Sequence, residues 1–452
     1  MNNAPSPETL ENRITLSTAA PIDTVVQKDI LDAVDSLQDH SADLLKRLVR
    51  HRSILGNEQP CIEEMASMYE ALGLAPHFIP IEEEKLTDHP GFSPPMMSYA
   101  GRTNVAAVHR PRNVTGRSLL LQGHLDVVHE GAADLWASPP YDPAIRDGRL
   151  YGRGSGDMKA GHAAILTAVA ALRRAGMQPA AELQLAAVIE EECTGNGALA
   201  TMLALPKPEG CIIPEPGPGW DALWVSEVGV VWAWVTVTGR PVHVRQMQRG
   251  INAIDAAYVV VEHFRRYEAR MNEKGMIHPA FAGEAHPVNV NFGTIEGGEW
   301  NSSVPTRAKI GLRVGVMLGR SCRQVQQDIR EVVASAGADP RLTGITLDLV
   351  FRGFTADACL LPPEQPIARL VQEVHLSLND EPVRPYCALA LTDARFYALY
   401  SDTQVTCYGP DGDGAHGIDE SVSLASLHRV TRTLALAIAN WCGLEPIAKP
   451  HR

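Results

Sequence analysis

The sequence predicts an α/β protein in which a domain with a mainly parallel sheet is interrupted by an inserted βαββαβ module. Three observations carry that reading. Strand-length apolar runs alternate with helical patterns from residue 77 to residue 213 and again beyond residue 367, the order of a parallel sheet covered by helices. Between residues 228 and 353 the order becomes strand, helix, two strands, helix, strand, which is the ferredoxin-like split arrangement. A chain of 452 residues holds two or three domains, or one large domain with an insertion. The predicted divisions are a polar extension over residues 1–23, the first part of the large domain over 24–227, the insertion over 228–353, and the second part over 354–452.

Taken in order, residues 24–50 read as one helix, with Ile30, Val34, Leu37, Leu44, Leu45 and Leu48 at three- and four-residue steps. A helix over 62–72 precedes strands at 77–81, 104–109 and 118–122. An alanine-rich run predicts a helix over 159–175, followed by strands at 182–189 and 211–213. The insertion predicts strands at 231–238, 288–295, 307–316 and 345–352, with helices at 252–271 and 323–336. In the strand at 307–316, Ala308, Ile310, Leu312 and Val314 alternate along one face. A helix over 367–378, a strand over 404–408 and a helix over 424–442 complete the chain.

Composition narrows the class of function. The chain is 45% hydrophobic and 21% charged, as in ordinary globular proteins. Its net charge of -13 argues against a nucleic-acid or anionic-membrane partner, which both require basic patches. No apolar run approaches the roughly 20 residues of a membrane span, and residues 1–17 show no signal-peptide pattern. The eight cysteines are scattered without CxxC spacing. Reduced, mostly buried thiols and a cytoplasmic location are therefore expected.

Chemistry concentrates where predicted strands end. The apolar run 118–122 delivers His124 and Asp126, which as alternate residues can share a strand face. A carboxylate against one imidazole nitrogen leaves the other free for a metal. A Gly-rich turn, 152–156, then presents Asp157. The strand 182–189 runs into Glu190, Glu191 and Glu192, and the strand at 211 into Glu215 between two prolines. A lone Glu triplet is most simply a solvated acidic loop. The strand 404–408 leads into GPDGDGAHGIDE, which carries His416 and Glu420. A parallel α/β sheet places its site at the carboxyl ends of its strands. Two histidines with three or more carboxylates suit zinc, and a shared carboxylate suits a pair of ions.

In order, GHLDVV, LYGRGSGDMKAG, EEECTGNGA, PEPG, GRPVHVRQMQRGINAI, GGEWNSSVP, LTDAR and YGPDGDGAHGIDE resemble the zinc-dependent aminoacylase, carboxypeptidase and dipeptidase family. The likeness spans about residues 40–442 and is greatest to the acetylornithine deacetylase and succinyl-diaminopimelate desuccinylase branch. The resemblance implies a zinc-hydrolase domain bearing an inserted lid and dimerisation domain. It implies two divalent ions, zinc first with cobalt or manganese as alternatives. His124, Asp157 and Glu215 would hold one ion, and Asp157, Glu192 and His416 the other. Asp126 would stand behind His124, Glu191 would act as general base, and the Asp157–Met158 peptide would be cis. His243 would polarise the scissile carbonyl, usually across a twofold homodimer. Asn301 and Arg313 would contact the substrate, Arg313 through a carboxylate.

The implied reaction is hydrolysis of an N-acyl amino acid or similar small N-acyl amine. A dipeptidase or carboxypeptidase on the same site is the alternative, and a catalytically silent binding protein of this fold is the non-enzyme alternative. The sequence departs from the family pattern in five places. Glu190 stands where Asp is usual, Gly311 replaces the usual Asp before Arg313, and residues 244–248 replace a small, Pro-containing stretch. His129 and His162 also stand where other residues are commoner, and both read as partly exposed histidines without a catalytic role.

Overall fold

The computed structural model describes residues 22–448, so all but the last two residues of the extension predicted over 1–23 lie outside the described residues. Two helices, α1 (Thr24–Asp35) and α2 (Gln38–Val49), replace the single helix expected over 24–50. The Ser36 hydroxyl donates back to the Ala33 carbonyl at 2.8 Å, and Leu37 leaves helical geometry. That bend turns Ile30 and Val34 of one helix and Leu44, Leu45 and Leu48 of the other into one core. A straight helix would carry part of this stripe into water.

There follow α3 (Gln59–Ala71), β1 (Pro76–Pro80), β2 (Thr103–His109), β3 (Leu119–His124), α4 (Ala160–Arg174), β4 (Leu183–Val188), α5 (Asn196–Ala204) and β5 (Gly210–Ile213). Together with a later strand, Gln404–Cys407, these strands form a six-stranded sheet ordered β1, β2, β4, β3, β5 and then that strand. The four neighbours from β4 onward run parallel, while β1 and β2 are antiparallel at one edge. Every residue of β3 and β4 is buried. Their near-continuous apolar runs follow from helices covering both faces.

After β6 (Ala222–Glu227), the segment read as an insertion consists of β7 (Gly229–Thr238), α6 (Ala253–Met271), β8 (Val290–Gly297), β9 (Arg307–Val316), α7 (Cys322–Gly337) and β10 (Thr346–Ala356). β7 to β10 form an antiparallel sheet in the order β8, β9, β7, β10. Val231, Ala233, Val235 and Val237 of β7 are buried in a core shared with α6 and α7. Trp232, Trp234 and Thr236 alternate onto the other face, where they are only half-buried. Asn252 caps α6, accepting from the Ile254 and Asp255 amides.

The chain closes with α8 (Pro366–Asn379), β11 (Arg384–Ala388), α9 (Ala394–Tyr400), β12 (Gln404–Cys407, the sixth strand of the main sheet) and α10 (Leu424–Cys442). β6 and β11 pair in parallel, a small sheet that the sequence does not predict. β11 begins Arg-Pro and β6 is followed by Val228-Gly229, so neither stands out as a bounded apolar run. All eight cysteines are free, and all but Cys387 are buried. No helix of the described residues is long and apolar enough to cross a membrane.

Candidate metal centre

β3 places His124 as its last residue, two positions past the end of the predicted strand. Asp157 follows a turn in which Gly154 has φ 78° and packs so closely that a Cβ there would stand 2.5 Å from Val127 Cγ1. Only glycine fits that turn. The Asp157–Met158 peptide is cis. Buried Glu420 braces the turn. Its carboxylate accepts from Arg153 at 2.6 Å, from the Gly154 and Gly156 amides at 2.9 Å and from the Asp157 amide at 3.0 Å. Glu420 thus holds the loop that carries Asp157. Glu420→Ala is expected to weaken metal binding about 10- to 100-fold, since loss of a ligand's support has that effect. Titration with zinc against a competing chelator measures it.

The three consecutive carboxylates part company. Glu190, with φ 75°, turns into a buried ion pair with Arg102 at 2.5 Å, which Glu58 completes. Glu191 Oε2 lies 3.9 Å from His124 Nε2, and Glu192 Oε2 lies 3.0 Å from His416 Nε2. The Glu215 carboxylate reaches within 3.8 Å of His124 Nε2. Asp157 stands between the two histidines, Oδ1 at 3.1 Å from His124 Nε2 and Oδ2 at 3.4 Å from His416 Nε2. The expected five residues therefore gather. Three overlapping sets could each hold an ion: His124, Asp157 and Glu215; Asp157, Glu192 and His416; and His124, Glu191 and Glu192.

Asp126 is arranged differently from the expectation. β3 ends before it, so the two side chains do not share a strand face. His124 Nδ1 donates to the Asp126 backbone carbonyl at 2.9 Å, while the carboxylate is 3.6 Å away. That carboxylate accepts instead from the Glu191 and Glu192 amides at 3.3 and 3.0 Å. It therefore fixes the acidic turn, and the backbone fixes the tautomer that leaves His124 Nε2 facing the cluster. His162 is buried rather than partly exposed; burial lowers its pKa to about 3, keeping it neutral behind the sheet. His129 is exposed.

The charge balance of the cluster asks for a cation. Burial raises the Glu191 and Glu215 carboxyls well above their usual range despite the opposing pull of His124, and neighbouring carboxylates add to the rise. Burial also lifts Asp126 to about 8. Burial acts upward on Asp157 too, but hydrogen bonds from His124 and His416 outweigh it and hold that carboxyl far below the ordinary range. His416, beside Glu192, rises to about 11. Glu191 Oε1 is buried with no hydrogen-bond partner. Imidazole and carboxylate donors around a shared aspartate fit two divalent ions, and an added positive charge would relieve the raised carboxyls.

The cluster opens on a cavity of about 480 Å³ lined by Asp157, Glu191, Glu192, Glu215 and His416 on one side and by Arg313 on the other. His243 and Asn301 are not part of that lining. Both are exposed on the insertion, where His243 bridges to Ser303 and caps a 3-10 turn over Val244–Arg249. The cavity wall also includes Trp224, Trp232 and Trp234, which the sequence alone does not single out.

Over 376 residues, the chain is 24% identical to an N-formyl-4-amino-5-aminomethyl-2-methylpyrimidine deformylase of Halalkalibacterium halodurans, covering 77% of this chain and 84% of that one. It is 25% identical over 393 residues to a succinyl-diaminopimelate desuccinylase of Acidovorax ebreus, covering 85% and 93%. Its fold is similar to that of the dipeptidase Dug1p from Saccharomyces cerevisiae, with a TM-score of 0.74 at 12% identity, covering 94% and 99%. A profile of Peptidase family M20/M25/M40 matches residues 120–440, the span that contains every donor of the cluster. The chain belongs to Peptidase family M20/M25/M40.

Proposed function

We propose that this protein hydrolyses the amide bond of a small N-acyl amine that carries a carboxylate, such as an N-acyl amino acid. The observation that carries the reading is Asp157 set between His124 and His416, with Glu191 beside them and its Oε1 unpartnered. His124, Asp157 and Glu215 would hold one divalent ion, and Asp157, Glu192 and His416 the other, zinc being the first choice for this donor set. When bound, such ions lower the pKa of a water toward 7 and polarise a carbonyl oxygen. Glu191 takes a proton from the attacking water and returns it to the leaving amine, so an amine and a carboxylate are released. Arg313 faces the cluster across the cavity and receives the substrate carboxylate.

The same anchor suits a dipeptide, whose free carboxylate also follows the scissile amide, so a dipeptidase is the second reading. Two relatives named for removing acyl groups, a formyl and a succinyl, favour the first. A catalytically silent binding protein would be favoured by a missing donor, and the cluster has its full set.

We further propose that residues 24–227 and 354–452 form the catalytic unit and residues 228–353 a lid that also dimerises. Support comes from β8, an edge strand of its sheet whose last five residues are all exposed. The test is metal analysis of the purified protein together with amine release from N-acetyl amino acids and dipeptides. Two metal equivalents with release from the acylated set is the expected result. A protein that binds two equivalents and cleaves neither set would overturn the reading.

A further inference from the structure

We propose that the amine half of the substrate is an aromatic amino acid, its ring held between Trp232, Trp234 and Trp224 while Arg313 takes its carboxylate. The proposal rests on the amide-hydrolase reading above and names the substrate class of that site. On the outward face of the insertion's sheet, Trp232 lies directly opposite Arg313 in the β7–β9 ladder, and Trp234 lies opposite Gly311. Side chains so paired are about 4.5–5.5 Å apart at Cβ. A group reaching both must therefore carry a ring and a carboxylate close together, as an aromatic amino acid does.

The indoles dictate the backbone around them. A Cβ at Gly311 would stand 2.3 Å from Thr294 Oγ1 and 2.9 Å from Trp234 Nε1. A Cβ at Gly353, which has φ 75°, would stand 2.6 Å from Trp232 Cε3. Two glycines thus make room for two indoles that face a cavity rather than a core. Trp232 packs edge-on to Phe354 at 5.3 Å and to Trp234 at 6.2 Å. Deeper in the same cavity, Trp224 meets Tyr386 edge-on at 5.4 Å. The indole nitrogens of Trp224 and Trp232 are buried and have no hydrogen-bond partner. Arg313 makes no ion pair among the described residues, and Lys309 lies 6.0 Å from the Trp234 ring.

Aromatic pairs in edge-to-face contact add roughly 2- to 13-fold each beyond the area they bury. With two indoles engaged, the metal-loaded protein is expected to show kcat/KM for N-acetylphenylalanine and N-acetyltryptophan about tenfold or more above that for N-acetylalanine. Trp234→Ala is expected to lower that ratio about fivefold, and Trp234→Phe to keep most of it. Should Trp234→Ala not fold, Gly311→Val displaces the same indole and is read by the same ratio. Equal kcat/KM for ring and methyl substrates, an unchanged ratio in these variants, or faster cleavage of N-benzoylalanine than of N-acetylphenylalanine would overturn the proposal. A second measurement separates it from the hydrolase reading. Calorimetry on metal-loaded Glu191→Gln compares binding of N-acetylphenylalanine and N-acetylalanine without turnover. If nothing is cleaved, tenfold tighter binding of the aromatic compound still supports the ring site, and equal binding overturns it.

Discussion

Glu191→Ala is expected to lower kcat by about 10²–10⁴-fold, the usual contribution of a positioned general base, while metal content stays near that of the unaltered protein. The geometry makes this a real test, because His124, Glu191 and Glu192 form one of the three sets able to hold an ion. Were Glu191 a ligand, its loss would remove metal together with activity. One observation favours the base: its Oε1 is buried without a partner. Glu192, by contrast, is in hydrogen-bond contact with His416 at 3.0 Å. Glu192→Ala is accordingly expected to lose both metal and turnover. Zinc stoichiometry by atomic emission, beside steady-state rates, separates the two outcomes, and parallel loss of metal in both variants would reassign Glu191 as a ligand.

The five residues expected to hold metal were legible because each lies at or just past the end of a strand, or in a Gly-rich loop beyond one. Local pattern marks such places, and a parallel sheet brings its carboxyl edge to one side. The role of Glu420 was not legible for the complementary reason. Its sequence position, four residues past His416, says nothing of the turn at 152–157 that it braces from across the fold. Asp126 was assigned the right neighbourhood but the wrong contact, since strand alternation assumes that β3 continues past His124. The break between α1 and α2 follows from tertiary packing that a three- and four-residue count does not register. In the insertion, alternation identified β9 residue for residue. Which face of β7 opens on a cavity became visible only when Trp232 and Trp234 were set against the opposite wall.

Mixing Glu191→Ala chains with His243→Ala chains is expected to restore activity that neither variant shows alone. The argument begins with His243, whose Nδ1 accepts the Arg245 amide at 3.1 Å. A neutral ring so held carries its proton on Nε2 and can donate it to a carbonyl oxygen. Yet the side chain is exposed and absent from the lining of its own chain's cavity. Near it in sequence or along the same bridge lie Val244, Met247 and Trp300, apolar side chains 41%, 53% and 74% exposed. Exposed apolar groups of that size on one unit mark a surface that another surface covers. A twofold pairing of insertions, isologous and continued through the free edge of β8, would cover them and present each His243 to the partner's site. In a mixed dimer, one site then combines an intact Glu191 with the partner's intact His243, while the other lacks both. Statistical reassembly makes half of the dimers mixed, each with one working site of two, so about a quarter of the unaltered activity is expected. Subunit exchange is followed by fluorescence transfer between differently labelled chains. Exchange without recovered activity would show that His243 does not complete a site across the interface.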